Sequence, residues 1–288
     1  IDRTPKLFIG GKQVRPDSGY SREIFGPGGA PGVHRAPLLG EVGEGNRKDI
    51  RNAVEAAHAA ASGWANATSH LRAQILYYLA ENLSVRADEF AARLAAQTGR
   101  ERKDAADEVA QSIERLFTYA AWADKYDGAI HSTPIRGMTL AVHEPVGVVG
   151  VVCPDEAPLL GFVSLLAPAI ALGNTVVAVP SERHPLSATD LYSVLETSDV
   201  PAGVVNIVTG PRDPLAKVLA QHDDVDAIWY FGSAEGGGAV EAASTGNMKR
   251  TWAGFGRPRD WRSTEQGQGG EFLREATQVK NIWVPVGE

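Results

Sequence analysis

The chain has 288 residues, a formal net charge of −7 and a single cysteine, and these values exclude several classes of protein. A chain of this length buries about 70 % of its unfolded surface, so it needs no disulfide framework to hold a core. The mild acidity argues against nucleic-acid binding, for which a basic surface is expected. No apolar run approaches the ~18 residues of a membrane span, and residues 1–12 carry no signal-peptide pattern, so we expect a cytoplasmic protein.

The first part of the sequence predicts a hairpin followed by helices. Gly10-Gly11 separates two short apolar runs, which is a hairpin signal, and the Gly and Pro residues through residue 32 predict loop. Between residues 49 and 126, apolar residues recur at three- and four-residue steps, which predicts almost continuous helix with Ser69 as an N-cap. Because the chain begins with Ile1 instead of methionine, we expect it to be processed or cut from a longer polypeptide.

After residue 128 short apolar strands alternate with helices of about ten residues. The predicted strands are Met138–His143, Val146–Val152, Thr175–Val179, Val204–Val208 and Val225–Trp229. Buried strands separated by helices predict an α/β protein with a Rossmann-like, doubly wound parallel sheet, whose sites lie at the carboxyl ends of the strands. Residues 257–270 are rich in Gly, Arg and Gln and predict a loop or flexible arm, before a last strand at Gln278–Val286.

Metal chemistry has no signature in this sequence, but two glycine turns are candidates for binding a nucleotide. The seven histidines are scattered, and no phosphate loop ending in Gly-Lys-Ser/Thr is present. Gly210 and Gly232-Ser233 each follow a predicted strand, where glycine allows close approach and a helix N-terminus attracts phosphate. Turn geometry alone also requires glycine at such positions, so a purely structural role stays open.

Two further features have plain structural interpretations. Cys153 is the only possible thiol nucleophile, but Asp155 and Glu156 follow it and would raise its pKa, so we expect an inert, partly buried thiol. A basic cluster predicts a solvated loop face, with contact to an acidic surface of a partner module as the alternative. Its members are Lys249, Arg250, Arg257, Arg259 and Arg262.

Several stretches resemble aldehyde dehydrogenases, in the same order along the chain. Residues 6–12 (KLFIGGK) resemble the family's opening hairpin, Ile50–Trp64 its first helix, and Glu144–Gly150 the start of its NAD-binding domain. Further similar stretches lie at residues 172–177, 201–208 and 247–250. The resemblance implies membership of the superfamily, and it implies that Glu182 is the acid that binds the adenosine ribose of NAD.

The catalytic residues of that family are not matched. Glu156 stands where the family has an Asn that donates to the oxyanion, and an ionised carboxylate there would repel the developing charge. Val179 replaces the family's ribose-binding Lys, Gly254 falls at the position of the general base, and no cysteine follows it. We therefore assign no catalytic residue in this chain.

The resemblance also implies a missing domain. Too few residues follow Arg250 for the family's catalytic domain, yet residues 269–280 resemble its terminal segment, including the oligomerisation strand. The whole pattern is most similar to the non-catalytic C-terminal module of family-sixteen aldehyde dehydrogenases. The predicted parts are the N-terminal hairpin and helices of the nucleotide-binding domain (1–128), oligomerisation strands (129–145), the Rossmann-like core (146–256), and a linker with the C-terminal oligomerisation strand (257–288).

The resemblance predicts a non-catalytic module with a structural role in a longer NAD-dependent aldehyde dehydrogenase. That role would be oligomerisation or a flap over a partner's active site. The expected partners are a catalytic aldehyde dehydrogenase module in the same or a partner chain and a second copy in a homo-dimer, with neither nucleic acid nor a membrane. One alternative is an NAD-binding module that uses Glu182, Gly210, Gly232 and Ser233. Another is an active aldehyde dehydrogenase that uses Cys153.

Overall fold

The computed structural model of the chain describes residues 6–28, 36–134 and 136–285. Its strands are β1 (Leu7–Ile9), β2 (Lys12–Val14), β3 (Ser21–Phe25), β4 (Leu38–Gly43), β5 (Ala129–His131), β6 (Gly137–Pro145), β7 (Val148–Val152), β8 (Thr175–Val179), β9 (Val205–Ile207), β10 (Ala227–Tyr230), β11 (Arg250–Ala253) and β12 (Thr277–Pro285). Its α-helices are α1 (Arg47–Ala65), α2 (Ser69–Val85), α3 (Ala87–Thr98), α4 (Arg102–Trp122), α5 (Leu160–Ala171), α6 (Leu186–Glu196), α7 (Arg212–Gln221), α8 (Ala234–Ala243), α9 (Thr264–Gln268) and α10 (Gly270–Glu275). The predicted loop at residues 29–32 and the last residue of the predicted strand 278–286 lie outside the described residues.

The main sheet has seven strands in the order β11-β10-β7-β8-β9-β1-β2. The five strands from β7 to β11 pair in parallel, and the β1–β2 hairpin adds to β9 in the antiparallel direction. The predicted α/β fold with a parallel sheet is therefore confirmed. Strand β11 was not predicted, because its four residues are half-exposed at the sheet edge and contain no apolar run.

Helices cover both faces of this sheet and enclose two hydrophobic cores. In β7, Val148 and Val152 pack with α1 and α7, whereas Val149 and Val151 pack with the layer formed by α2, α4, α5 and α6. Successive side chains of a strand point to opposite faces, so a strand covered on both faces has a continuous apolar sequence. This is why the sequence pattern located β7 and β8 so closely.

The predicted helical region consists of the four helices α1 to α4. Asn46 begins α1 with a capping box. Its side chain accepts from the backbone N–H of Asp49, and the Asp49 carboxylate accepts from the backbone N–H of Asn46. Thr68 caps α2 through its hydroxyl, so the prediction of Ser69 is wrong by one residue. Gly99 ends α3 at a φ of +73°, a backbone conformation that favours glycine.

A separate three-stranded antiparallel sheet has the order β12-β6-β5. Nine consecutive residues of β12 pair with β6, from Thr277 opposite Pro145 to Pro285 opposite Gly137. The strands predicted at Met138–His143 and Gln278–Val286 are therefore neighbours in one sheet. The sheet joins β7 and α10 at the same end, where Pro145 and Thr277 are paired.

The segment between β11 and β12 is not the loop or flexible arm that its composition predicts. Residues 257–275, which we call the cap, contain α9 and α10, and Trp261 and Phe272 within them are buried. The prediction failed because these two aromatic residues are eleven positions apart and follow no helical or strand period. Their partners lie on other elements, so no local pattern reveals them.

Candidate functional site

The candidate site lies along the carboxyl ends of the parallel strands. The strand order reverses at β7, because β8 lies on one side of it and β10 on the other. In open α/β sheets, ligands bind in the crevice at such a switch point. The residues that border it follow β7, β8, β9 and β10, and every predicted site residue is among them.

An ion-pair network occupies the side of the crevice between β7 and β9. Asp155, after β7, forms an ion pair with Arg212 at the start of α7 and accepts from the Ser181 hydroxyl, with an Oγ–Oδ1 distance of 2.6 Å. Burial by itself raises the pKa of Asp155, but the Ser181 hydrogen bond and the Arg212 ion pair outweigh it and hold the pKa below its usual value. Asp155 is thus an anion fixed within the crevice. The sequence had identified it only as a neighbour of Cys153.

Glu182 and Gly210 both lie beside the start of α7. The Glu182 carboxylate accepts from the backbone N–H of Arg212 at 2.9 Å, and its carbonyl accepts from Arg22. A Cβ at Gly210 would lie 2.9 Å from the Leu215 side chain and 3.0 Å from the Gly45 carbonyl oxygen, so packing alone requires glycine there. The structure gives both residues partners within the chain.

Gly232 and Ser233 lie at the start of α8. The Ser233 hydroxyl accepts from the backbone N–H of Gly236 at 3.0 Å, which is an ordinary N-cap. The Tyr230 hydroxyl donates to Asp213 at 2.7 Å and lies 2.4 Å from where a Gly232 Cβ would be. Burial and the hydrogen bond to Asp213 raise the pKa of Tyr230 to about 12. Tyr230 therefore joins the starts of α7 and α8, a bridging role that sequence reasoning missed.

The other side of the crevice, between β7, β10 and β11, is small. It has about 30 Å³ of space for water, little more than one or two molecules need. Its lining residues are Pro154, Glu156, Phe231, Gly232, Gly254, Gly256, Arg257, Arg259 and Trp261. The last three belong to the cap, so the segment predicted to be a linker closes this pocket.

The prediction of a solvated basic face is wrong for most of the cluster. Lys249 is buried and donates to the His222 carbonyl, and Arg250 donates to backbone carbonyls at the junction of α10 and β12. Arg259 is enclosed by aromatic rings, and Arg262 reaches the Asp104 carbonyl. These cations hold the chain's own backbone and rings, and Arg257 alone among the five stays an exposed pocket residue without such a contact.

Cys153 is fully buried at the end of β7, deeper than the partial burial predicted for it. Its backbone N–H donates to the Val179 carbonyl at 2.9 Å, which extends the ladder between β7 and β8. Burial strongly raises the pKa of the thiol, so the thiolate needed for nucleophilic attack is suppressed. The predicted inert thiol therefore agrees with its surroundings.

The residues of this crevice do not fit a dinucleotide. The carboxylates of Asp155 and Glu182 already bind Arg212, and the pocket between β7, β10 and β11 holds Glu156 and little free volume. A pyrophosphate entering here would meet these carboxylates, and the Arg212 cation between them is already paired with Asp155. Among the described residues there is also no group of three side chains that could hold a metal ion, and no helix long and apolar enough to cross a membrane.

The fold places the chain among the Rossmann-like α/β proteins, and comparison with known proteins identifies its family. The family model described as "Aldehyde dehydrogenase family" matches residues 34–256. This chain belongs to the aldehyde dehydrogenase family. Retinaldehyde dehydrogenase 3 of Rattus norvegicus is 35% identical over 250 residues, which are 85% of this chain and 48% of that protein. An aldehyde dehydrogenase of Agaricus bisporus is 34% identical over 247 residues, 84% of this chain and 48% of that protein.

Solved structures agree with this membership. The NAD-dependent aldehyde dehydrogenase from Sinorhizobium meliloti has a TM-score of 0.81 at 28% identity. The match covers 88% of this chain and 50% of that protein's chain. A point mutant of betaine aldehyde dehydrogenase from Staphylococcus aureus, in complex with NAD+, has the same TM-score at 25% identity, with coverages of 87% and 50%. The chain thus spans about half the length of the relatives it matches, and the cap lies beyond the family match.

The Asp155–Arg212 pair gives stability a pH dependence of defined sign. A carboxyl with a lower pKa in the folded than in the unfolded state stabilises the fold above its unfolded pKa. That stability is lost as the pH falls through the folded pKa. We expect the difference in unfolding free energy between the wild type and Asp155→Asn to be constant above about pH 5 and to shrink toward about pH 3. Urea unfolding across this range measures it, and a difference that does not change with pH would contradict the assignment.

Proposed function

We propose that this chain is a non-catalytic aldehyde dehydrogenase module with a structural role in a longer NAD-dependent enzyme. It acts in oligomerisation and as a flap over the active site of a partner module. The resemblance to the C-terminal module of family-sixteen aldehyde dehydrogenases supports this proposal, as do the half-length match and the filled crevice. The observation that carries it is the exposed apolar surface of the β12-β6-β5 sheet.

That surface is a row of side chains on one face of the sheet, which we call the apolar stripe. The pairing places Ile282 and Ile130 on either side of Leu140, and Val284 opposite Met138. Ile130 is 72% exposed and Ile282 is 41% exposed. Single exposed apolar residues are ordinary, but four exposed ones around the half-buried Leu140, across three strands, are typical of a surface that another chain covers.

The sheet also needs such cover to be stable. Every β12 residue after Thr277 is exposed, on both faces of the strand, and β12 forms an edge of its sheet. Small sheets need a hydrophobic face packed against another element, and an uncovered edge strand invites pairing with a further strand. A second copy of the chain or a catalytic module of the family provides both kinds of cover.

The proposal predicts that a charge within the apolar stripe abolishes self-association. We expect sedimentation equilibrium to show a wild-type dimer, and Ile282→Glu to raise its dissociation constant at least thirtyfold, because burial of a carboxylate in an apolar interface costs about 2 kcal/mol or more. Val85→Glu is the matched control, since Val85 is 85% exposed at the end of α2, away from the sheet.

A wild-type chain that is monomeric at all concentrations contradicts self-association through this sheet. A dimer that Ile282→Glu leaves unchanged contradicts the assignment of the stripe. The other activities considered for the chain have less support. The burial of Cys153 opposes catalysis by its thiol, and the occupied crevice opposes a separate NAD-binding role.

A further inference from the structure

Arg259 lies against a group of four aromatic rings, which we call the cage, and 19% of its side chain stays exposed. Its guanidinium carbon lies 5.2 Å from the ring centroids of Phe231 and Trp252, 5.6 Å from Trp261 and 5.5 Å from Phe272. Each ring also contacts the next one around the cage, at centroid distances of 4.9 to 6.4 Å. Four aromatic rings at these distances from one cation form cation–π contacts that suit a planar guanidinium.

The polar partners of Arg259 complete the cage. One Nη donates to the Glu271 carboxylate at 2.9 Å, and the other donates to the Gln266 carbonyl at 2.7 Å. Glu271 also accepts from the indole N–H of Trp252 at 3.2 Å. Arg259 therefore has rings, a carboxylate and a carbonyl as partners, which together match the shape, charge and donors of a guanidinium.

The cage joins the main sheet to the cap. Phe231 follows β10 and Trp252 lies on β11, whereas Trp261 and Phe272 belong to the cap. Arg259 thus touches all four rings, and it also lines the small pocket beside Glu156. Because α10 leads directly into β12, the position of the cap also sets where β12 begins.

We propose that Arg259 is the internal ligand of a guanidinium-binding cage, and that its insertion latches the cap over the carboxyl edge of the sheet. The latch closes the pocket between β7, β10 and β11 and fixes the start of β12. The cap lies beyond residues 34–256, which the family model matches, whereas Phe231 and Trp252 lie within them. Its effect on β12 assembly rests on the proposed function, but its effect on the cap does not.

Hydrogen exchange measured by mass spectrometry tests the latch directly. We expect Arg259→Ala to speed amide exchange in residues 261–273 at least about tenfold, with a smaller rise at the start of β12, and to lower the melting temperature by about 5 °C. Arg93→Ala is the matched control, because Arg93 also pairs with a carboxylate, Asp190, at 2.8 Å, but lies on α3 away from the cap. We expect it to leave exchange in residues 261–273 at the wild-type rate.

Chemical rescue identifies the ligand class. Methylguanidinium at millimolar concentration should restore slow exchange in Arg259→Ala, in a saturable way, whereas methylammonium at the same concentration should not. The proposal would be overturned if residues 261–273 exchanged in Arg259→Ala at the wild-type rate, or if both ions slowed their exchange equally. Should Arg259→Ala not fold, Glu271→Gln keeps the rings and removes the counter-charge, and an unchanged cap exchange in that variant would equally overturn it. The contacts that hold the cap lie within one chain. The exchange rate of the cap therefore tests the latch even if the chain does not dimerise.

Discussion

Glu108→Ala should lower the free energy of unfolding by about 3–5 kcal/mol, the largest effect that we expect from a single substitution. The Glu108 carboxylate on α4 is fully buried and forms an ion pair with Arg100. It also accepts from the backbone N–H groups of Leu159 and Leu160, at 3.0 and 3.2 Å, where α5 begins without a capping side chain of its own. Its removal leaves two buried donors and one cation without their partner.

Two variants separate these contributions in urea unfolding. Glu108→Gln keeps an oxygen that can accept at the start of α5 but loses the charge, and we expect about half of the alanine effect. Asp107→Ala removes an exposed carboxylate from the same turn of α4 and should change stability by less than about 0.5 kcal/mol. Equal effects of Glu108→Ala and Asp107→Ala would show that the buried carboxylate does not stabilise α5.

Arg115→Met should lower the free energy of unfolding by about 2–4 kcal/mol and should loosen the cap. Arg115 is buried on α4, and its guanidinium donates to the Ser164 hydroxyl at 2.6 Å and to the backbone carbonyls of Trp261 and Gly267. Burial lowers the pKa of Arg115, and these three acceptors replace the hydrogen bonds to water that burial removes. Methionine fills similar space but leaves two cap carbonyls unpaired.

Arg102→Met is the matched control for this prediction. Arg102 lies on the same helix with 60% of its side chain exposed, so its loss should change stability by less than about 1 kcal/mol. Hydrogen exchange adds a local readout, since we expect faster exchange at residues 261–268 in Arg115→Met alone. An Arg115→Met protein with wild-type stability and cap exchange would show that these hydrogen bonds contribute nothing net.

The main sheet was predictable because its strands have a local signature. Val148–Val152 and Thr175–Val179 are continuous apolar runs that only a strand covered on both faces needs, and the structure places them within one or two residues of the prediction. By contrast, the cap is held by contacts between residues far apart in sequence, such as Arg115 with Gly267 and Trp252 with Glu271. No periodicity encodes such contacts.

The candidate site could be predicted only as a location. The glycines after β9 and β10 lie at the carboxyl edge of the sheet, but packing explains them as well as a ligand does. The residues that decide the chemistry were missed, because Arg212 and Tyr230 have ordinary surroundings in the sequence. Their roles arise from partners on other elements, Asp155 for Arg212 and Asp213 for Tyr230.

The most direct test of a non-catalytic module is a titration of the chain with NAD+, followed by tryptophan fluorescence and, after an aldehyde is added, by NADH absorbance. Trp252 and Trp261 lie in the cage beside the pocket, so a nicotinamide entering it would change their emission. The filled crevice and the buried Cys153 predict no saturable change up to millimolar NAD+ and no NADH. A saturable change, or NADH production that Cys153→Ser abolishes, would contradict the account.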